Sequence, residues 1–417
     1  MTLHENTQSP ERVMLISVDN GSFSAEESIE ELSLLVSTAG GEAELELIQK
    51  LPEKNPATYV GSGRIAEIKK ACEDNEIDLI VADDELSPAQ LKNIEDITGV
   101  RVVDRTMLIL DIFALHARTR EGKLQVELAQ LKYSLPFLTG RGKGMSRLGG
   151  GIGTRGPGES KLESDKRHIR RRINALEAEL KQLEKRRNNM RSRRKKDGII
   201  SVAIVGYTNA GKSTLMNRLT SAGVLAEDKL FATLDPTARK LTLPNGQAVM
   251  LVDTVGLVRR LPHKLVEAFK STLEEAKNAD LILNVCDASS EECAEHLRIT
   301  AELLSELECD SIPVISVMNK CDLVPDIFDL PTIGKSVMIS ALNGQGVDDL
   351  LEEIQNTLPK NRTRVKLLIP FDKGGILAQI RADGVVHSEE FTSDGTLADV
   401  TVNLHFLEEI KEYIAKE

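Results

Sequence analysis

Residues 199–219, IISVAIVGYTNAGKSTLMNRL, read as an apolar strand (Ile199–Val205), a loop bounded by Gly206 and Gly211, and a helix that opens at Thr214. A strand that feeds a glycine-rich turn and then a helix is the start of an α/β unit. The glycines let the backbone N–H groups of Gly206, Tyr207, Thr208, Asn209, Ala210 and Gly211 curl around an anion at a helix N-terminus. Lys212 is placed to bridge the β- and γ-phosphates of a nucleoside triphosphate. The hydroxyl of Ser213 is placed to ligate Mg²⁺, with Thr214 just behind it. Taken alone, the loop also reads as a plain strand–helix turn; the segments downstream decide.

Asp253–Thr254–Val255–Gly256 follows the apolar run Ala248–Val252. Asp253 at that strand end can hold Mg²⁺ through water, and the Gly256 N–H can approach a γ-phosphate closely because glycine has no side chain. Between the two segments lies Phe231–Ala232–Thr233–Leu234–Asp235–Pro236–Thr237. A threonine there would complete the Mg²⁺ shell and sense the γ-phosphate; Thr233 is preferred and Thr237 is the second choice. Asn319–Lys320–Cys321–Asp322 follows the strand Val314–Met318. The Asp322 carboxylate can accept from the guanine N1–H and 2-amino group, a donor pair that adenine lacks. Ser340, Ala341 and Leu342, at the end of the next strand, can offer a backbone N–H to the guanine O6. In this order the motifs specify a GTP site, with Lys212, Thr233 and Gly256 as the residues that would act on the γ-phosphate.

Two residues bear on mechanism. Leu257 follows Gly256 where many GTPases have the Gln that orients the attacking water. Leucine cannot hydrogen-bond water, so hydrolysis is expected to be slow until a partner or another group places it. Asn209 can lend a carbonyl oxygen to a monovalent cation such as K⁺ beside the phosphates; an ordinary turn asparagine reads the same.

The rest of the chain is organised around this unit. The full length of 417 residues makes two to four domains the expectation. Val13–Val18, Glu44–Ile48, Ile77–Ala82 and Arg101–Val103 read as strands, alternating with helical spacing over Glu26–Ala39, Arg64–Asn75 and Pro88–Thr98. That alternation implies a parallel α/β domain over 1–110. Leu124, Leu128, Leu131 and Leu135 step by four, three and four, and Ile169, Ile173, Leu176, Leu180 and Leu183 repeat the pattern. These are heptad seams of an antiparallel helical hairpin, spanning 111–197. Leu281–Asp287, Val314–Met318 and Val337–Ser340 continue the sheet of the GTP-binding domain, 198–359. A small α+β tail, 360–417, offers the strand-like runs Val365–Ile369 and Asp399–Val402.

Charge is unevenly placed. The chain carries a net −12, yet Thr139–Gly198 holds 19 Lys/Arg against 7 Asp/Glu, a net of +12, which leaves −24 for the rest. One basic module inside an acidic protein points to a dedicated polyanion contact. Thr139–Gly158 has nine glycines and presents Arg141, Lys143, Arg147 and Arg155. With no aromatic side chain there to stack bases, recognition of a structured RNA by shape and backbone is the better fit. A solvated charged helix face is the plain alternative. Five scattered cysteines without a CxxC fit a reducing cytosol and argue against a disulfide framework or a zinc site. No apolar run is long enough to span a membrane, and the N-terminal residues lack the apolar core of a signal peptide. Gly61-Ser62-Gly63-Arg64-Ile65-Ala66, with Asp83 and Asp84 downstream, imitates a dinucleotide fingerprint, but Pro52–Thr58 before it is a poor strand.

The chain resembles the HflX family, within the Obg–HflX-like superfamily of translation-factor-related GTPases. The resemblance rests on Tyr59–Gly63, Leu86–Gln90, Asp104–Ala117, Glu121–Leu131 (EGKLQVELAQL), Gly150–Glu163 (GGIGTRGPGESKLE), GYTNAGKST, LFATLDPT and DTVGLVRRLPH. Ser160 stands where the family usually has Thr, and no motif after Lys360 matches. The resemblance implies a cytoplasmic GTPase that binds the large (50S) ribosomal subunit and, with GTP, dissociates stalled or idle ribosomes, often under stress; a monomer is expected. The basic glycine-rich loop would then reach ribosomal RNA. The alternative is a GTP-gated RNA-binding or ribosome-assembly factor in which hydrolysis acts only as a timer.

Overall fold

The structure, a computed structural model, describes residues 10–21, 23–139, 157–196, 198–220, 230–231, 237–260, 274–324, 334–358 and 362–415. Compactness divides the chain into two units: 1–185 with 227–235 and 255–272, and 186–226 with 236–254 and 273–417.

The first unit is built on four parallel strands, β1 (Arg12–Asp19), β2 (Glu42–Lys50), β3 (Leu79–Ala82) and β4 (Arg101–Asp104), in the order β2-β1-β3-β4. Between them run α1 (Ala25–Ala39), α2 (Ser62–Asp74) and α3 (Pro88–Thr98). β1 and β3 are near-continuous apolar runs because both faces of a parallel sheet are covered. The helix ends follow local chemistry. Ser24 caps α1 by accepting from Glu27 N–H, and Gly40 closes it in the left-handed region. Ser87 and Gln90 form a capping box that brackets Pro88, the first residue of α3.

The sheet leads into α4 (Arg105–His116) and α5 (Arg120–Ser134), followed by a 3₁₀ turn, Leu135–Thr139. The helix α6 (Pro157–Lys196) is 40 residues long. The two heptad seams meet as expected: Leu124, Leu128, Ile173 and Leu176 form a buried cluster with Leu131, Leu135, Ile169, Leu180 and Leu183 packed against it. Leu176 is fully buried there, so Leu176→Ala would cost about 3 kcal/mol. Arg172 pairs with Glu127 through two hydrogen bonds, of 2.6 and 2.7 Å, outside the seam. The glycine-rich loop, with Arg141, Lys143, Arg147 and Arg155, lies outside the described residues.

The second unit holds a six-stranded sheet in the order β10-β9-β8-β5-β7-β6. Its strands are β5 (Ile200–Gly206), β6 (Thr237–Thr242), β7 (Ala248–Asp253), β8 (Leu281–Asp287), β9 (Val314–Asn319) and β10 (Lys335–Met338). All pairings are parallel except β6 on β7. β6 is a strand the periodicity did not announce: TARKLT is charged and sits at the sheet edge, where such side chains are tolerated. Thr237, the second-choice threonine, opens this strand opposite Asp253. The helices are α7 (Lys212–Thr220), α8 (Cys293–Glu306) and α9 (Val347–Thr357). A core of Val202, Ile204, Leu215, Leu251, Leu283 and Val317 holds sheet and helices together. In the tail, β11 (Arg362–Ile369), β12 (Val385–Phe391) and β13 (Thr396–Asn403) form an antiparallel sheet ordered β11-β13-β12, with α10 (Gly374–Asp383) and α11 (Leu404–Glu409). The tail thus has one strand more than its sequence suggested, because VVHSEEF in β12 is too polar to show as an apolar run.

Candidate functional site

The phosphate loop runs from the end of β5 into α7. Gly206 sits at φ +150°, and a Cβ there would stand 2.1 Å from the Val285 carbonyl oxygen. Gly211 sits at φ +89°, where a Cβ would stand 2.2 Å from Asn319 Nδ2. Only glycine meets both demands, so the loop's spacing is a steric consequence of β8 and of the Asn319 side chain crossing behind it. Lys212 is buried, its ammonium donating to the carbonyls of Gly206 (3.1 Å) and Tyr207 (2.7 Å). Burial pushes its pKa down to about 8, and nearby Asp253 opposes that shift. Asn209 is exposed at φ +60°, a conformation Asn tolerates well, so turn geometry by itself accounts for the residue.

Ser213 and Asp253 lie together, the hydroxyl 3.2 Å from Asp253 Oδ2, and Asp253 is fully buried at the end of β7. A hydroxyl beside a buried carboxylate is a hard-oxygen donor set of the kind Mg²⁺ takes. Thr254 serves a different purpose from the one expected of it. Its hydroxyl donates to the Ile204 carbonyl at 2.8 Å and is fully buried, so it ties β7 to β5 and offers no side chain to a nucleotide. Tyr207 is likewise turned aside: its ring stacks on His296 of α8 at 3.8 Å, which leaves only its backbone for phosphate.

On the base side, Asn319 is the pivot. Its Nδ2 donates to the Ala210 carbonyl (2.8 Å), and its Oδ1 accepts from the Ala341 N–H (2.9 Å). One buried side chain therefore joins the phosphate loop to the 340–342 loop. Ala341 N–H is spent on that bond, so it is not the backbone N–H that the segment 340–342 was expected to offer the base. Ser340 N–H is spent too, on the Gln345 carbonyl at 2.9 Å. Lys320 adopts φ +62°, and its ammonium pairs with Asp287 at 2.6 Å, which directs the side chain along the end of β8. Asp322 is exposed in the following 3₁₀ turn.

The remaining expected residues divide. Ala232 and Thr233 lie outside the described residues. Phe231 belongs to the first unit, where it is buried at φ +56° with its ring edge-on to Phe113 of α4, 4.6 Å between centroids. Its side chain anchors that segment in an apolar core and does not serve a nucleotide. Val255, Gly256 and Leu257 follow directly from β7 and are buried.

The first unit also holds contacts the motifs did not announce. Arg260, at φ +49°, donates to Asp83 Oδ2 (2.5 Å), Asp84 Oδ1 (3.0 Å) and Ser28 Oγ (2.6 Å), with its guanidinium 4.0 Å over the Phe23 ring. Arg259 pairs with Glu27 at 2.7 Å. Asp83 is fully buried and also accepts from Ser17 and Arg105; Asp84 also accepts from Tyr59 and Lys54. The two acids that imitate a dinucleotide fingerprint are thus occupied by cations, and the residues before Gly61 form a turn rather than a strand. Arg259 and Arg260 stand in the segment DTVGLVRRLPH, whose doublet only tertiary structure relates to Asp83.

Four family models match the chain in succession: GTP-binding GTPase N-terminal over residues 26–114, GTP-binding GTPase Middle Region over 116–194, 50S ribosome-binding GTPase over 201–320, and HflX C-terminal domain over 331–412. The last covers the tail in which no motif was recognised. A GTPase HflX of Caldanaerobacter subterraneus subsp. tengcongensis is 50% identical over 413 residues, covering 99% of this chain and 96% of its own length. GTPase HflX of Escherichia coli K12 is 40% identical over 379 residues, 89% of this chain and 88% of its own. A solved GTP-binding protein from the archaeon Sulfolobus solfataricus, in complex with GDP, is 29% identical over 83% of this chain and 98% of its own, with a TM-score of 0.45. With relatives 50% and 40% identical over 99% and 89% of its length, the chain belongs to the HflX family of GTPases.

Proposed function

We propose that this GTP hydrolase works on the large ribosomal subunit: the GTP form binds the 50S particle and drives stalled or idle ribosomes apart, and hydrolysis releases it. The observation that carries this reading is the pairing, in one chain, of a guanine-nucleotide site with the helix α6, whose 40 residues hold 15 Lys/Arg against 6 Asp/Glu. That density of cations suits a phosphate backbone, binding through counterion release. The family model over 201–320, described as a 50S ribosome-binding GTPase, supports the same partner. Arg141, Lys143, Arg147 and Arg155 are proposed to extend the contact to ribosomal RNA.

At the nucleotide, Lys212 would leave its two loop carbonyls for the β- and γ-phosphates. Ser213 and Asp253, the latter through water, would hold Mg²⁺, with Thr233 completing the shell; the ion supplies charge neutralisation on the phosphate oxygens. The Asn209 carbonyl could hold K⁺ beside them. Gly256 would donate to the γ-phosphate, and the buried Leu257 beside it leaves water placement to a partner, so hydrolysis is slow alone and fast on the ribosome. Within the first unit, Arg259 and Arg260 fasten the residues after Gly256 to Glu27, Asp83 and Asp84. Among the described residues no helix is long and apolar enough to cross a membrane. On this reading the protein acts as a monomer in the cytoplasm.

The test measures GTP turnover with and without purified large subunits, in K⁺ and then in Na⁺, and sediments 70S particles with a non-hydrolysable GTP analogue. Stimulated turnover with separation into subunits is expected. Unchanged turnover overturns the reading, and co-migration with intact or precursor particles favours a timer on RNA binding or assembly.

A further inference from the structure

The loop over Ser340–Asn343 has little left to give a base. Ser340 N–H goes to Gln345, Ala341 N–H to Asn319 Oδ1, and Asn343 N–H to the Ser340 hydroxyl at 3.4 Å. Leu342 is the donor that stays over, in a residue 74% exposed. In a trans peptide the C=O and the following N–H point in opposite directions, and no peptide among the described residues is cis. Whatever holds the Ala341 carbonyl therefore aims the Leu342 N–H the other way.

That holder is Arg218. Its Nε donates to the Ala341 carbonyl at 3.1 Å, and its Nη2 donates to the Leu342 carbonyl. One planar guanidinium thereby grips two consecutive peptide planes, which a point-charge ammonium cannot do with the same geometry. Arg218 stands on α7, the helix that begins with Lys212 and Ser213. A single rigid element thus carries the phosphate-binding residues at its first turn and holds the base loop from its second.

We infer that Arg218 is a positioning residue for base selection, which sets the Leu342 amide to donate to the O6 of a 6-oxopurine nucleotide. It touches no nucleotide atom itself. Against adenine, the same amide faces the 6-amino group, donor against donor, so a well-placed Leu342 N–H both favours guanine and disfavours adenine. The inference rests on the assignment of Asn319–Asp322 to the guanine, which the control below tests separately.

The experiment measures the affinity of GTP, ITP and ATP by competition with a fluorescent GDP, along with steady-state hydrolysis, for the full chain and for Arg218→Ala, Arg218→Lys and Asp322→Asn. ITP keeps O6 but lacks the 2-amino group. In Arg218→Ala, GTP and ITP should weaken together by about tenfold, the scale of one hydrogen bond, while ATP does not weaken and gains whatever the donor-to-donor opposition had cost it. KM should rise with kcat kept, the mark of binding lost equally in ground and transition states. Arg218→Lys, able to reach one carbonyl, should recover part of the loss. The inference is overturned if the GTP-to-ATP ratio is unmoved in Arg218→Ala, or if kcat falls with KM unchanged. If Asp322→Asn keeps full guanine preference, the base assignment itself fails, and the role of Arg218 falls with it.

Discussion

The phosphate side and the base side of the nucleotide site are built in opposite ways. The phosphate loop is one uninterrupted stretch, Gly206–Ser213, whose shape follows from two glycines and a helix N-terminus. The base side is drawn from three separate segments: Asn319–Asp322 after β9, the loop around Ala341 after β10, and, 123 positions before Ala341, Arg218 on α7. Among the described residues, Asn319 is the side chain that bonds to both sides. A local device tolerates change elsewhere in the fold, whereas an assembled one depends on the segments that hold it. Binding strength should therefore be concentrated in the loop, and base selectivity spread over several residues.

The most severe break in this comparison is Lys212→Ala. It removes the only cation described in the loop, and triphosphate affinity should fall by about a thousandfold, as charge-assisted contacts with phosphate are the strong ones; titration calorimetry with GTP and GDP reads it. Retained GTP affinity would mean that the backbone alone carries binding. Next is Asp322→Asn, which should cut the preference for GTP over ATP by about a hundredfold, since a site built to hydrogen-bond a substrate group rejects the analogue lacking it. Overall nucleotide binding should survive in that variant, so equal loss of GTP and ATP would erase the division of labour.

A smaller effect comes from pH. Burial holds the free Lys212 at a pKa of about 8, below its usual value of 10.5. Phosphate gives the ammonium a partner and raises the pKa, so nucleotide binding takes up a proton above about pH 8. Affinity should be flat below that value and fall by about tenfold per pH unit above it, until the pKa of the bound lysine is passed. The same depression means that, without nucleotide, the buried ammonium costs the fold stability below about pH 8, a cost that fades as pH rises toward 10.5. A fluorescent GDP titration from pH 7 to 9.5 checks the sign. The smallest change is expected from Tyr207→Leu, which removes the stack on His296; about a threefold loss in GDP affinity fits an aromatic pair. A loss equal to that of Lys212→Ala would show that the loop is held by α8 rather than by its own backbone.

Much of this was legible beforehand, for identifiable reasons. Strands β1, β3, β5 and β8 announce themselves because a doubly covered parallel strand must be apolar throughout. The leucine seams of α5 and α6 announce the hairpin because only one helical face repeats. Edge strands β6 and β12 stayed hidden, since partial exposure lets charged residues in. Side-chain direction was hidden too. Tyr207, Phe231 and Thr254 lie within the motif segments, yet their side chains go to His296, Phe113 and the Ile204 carbonyl. Arg218 was overlooked because a lone arginine on a helix reads as a solvated face.

By itself the sequence determined a strand, a glycine-bounded loop and a helix in succession, and basic charge gathered in one module; the assignments of that loop to phosphate and of Asp322 to guanine are proposals read from the same residues. These follow from local backbone geometry and from charge, which need no distant partner. Only the tertiary structure decided that Asn319 joins both halves of the site, that Arg218 grips the Ala341 and Leu342 carbonyls, and that Arg260 lies between Asp83 and Asp84. All of those bonds but Asn319–Ala341, whose residues stand 22 positions apart, link residues more than a hundred positions apart, and no local rule brings such groups to hydrogen-bond distance; packing of the core does.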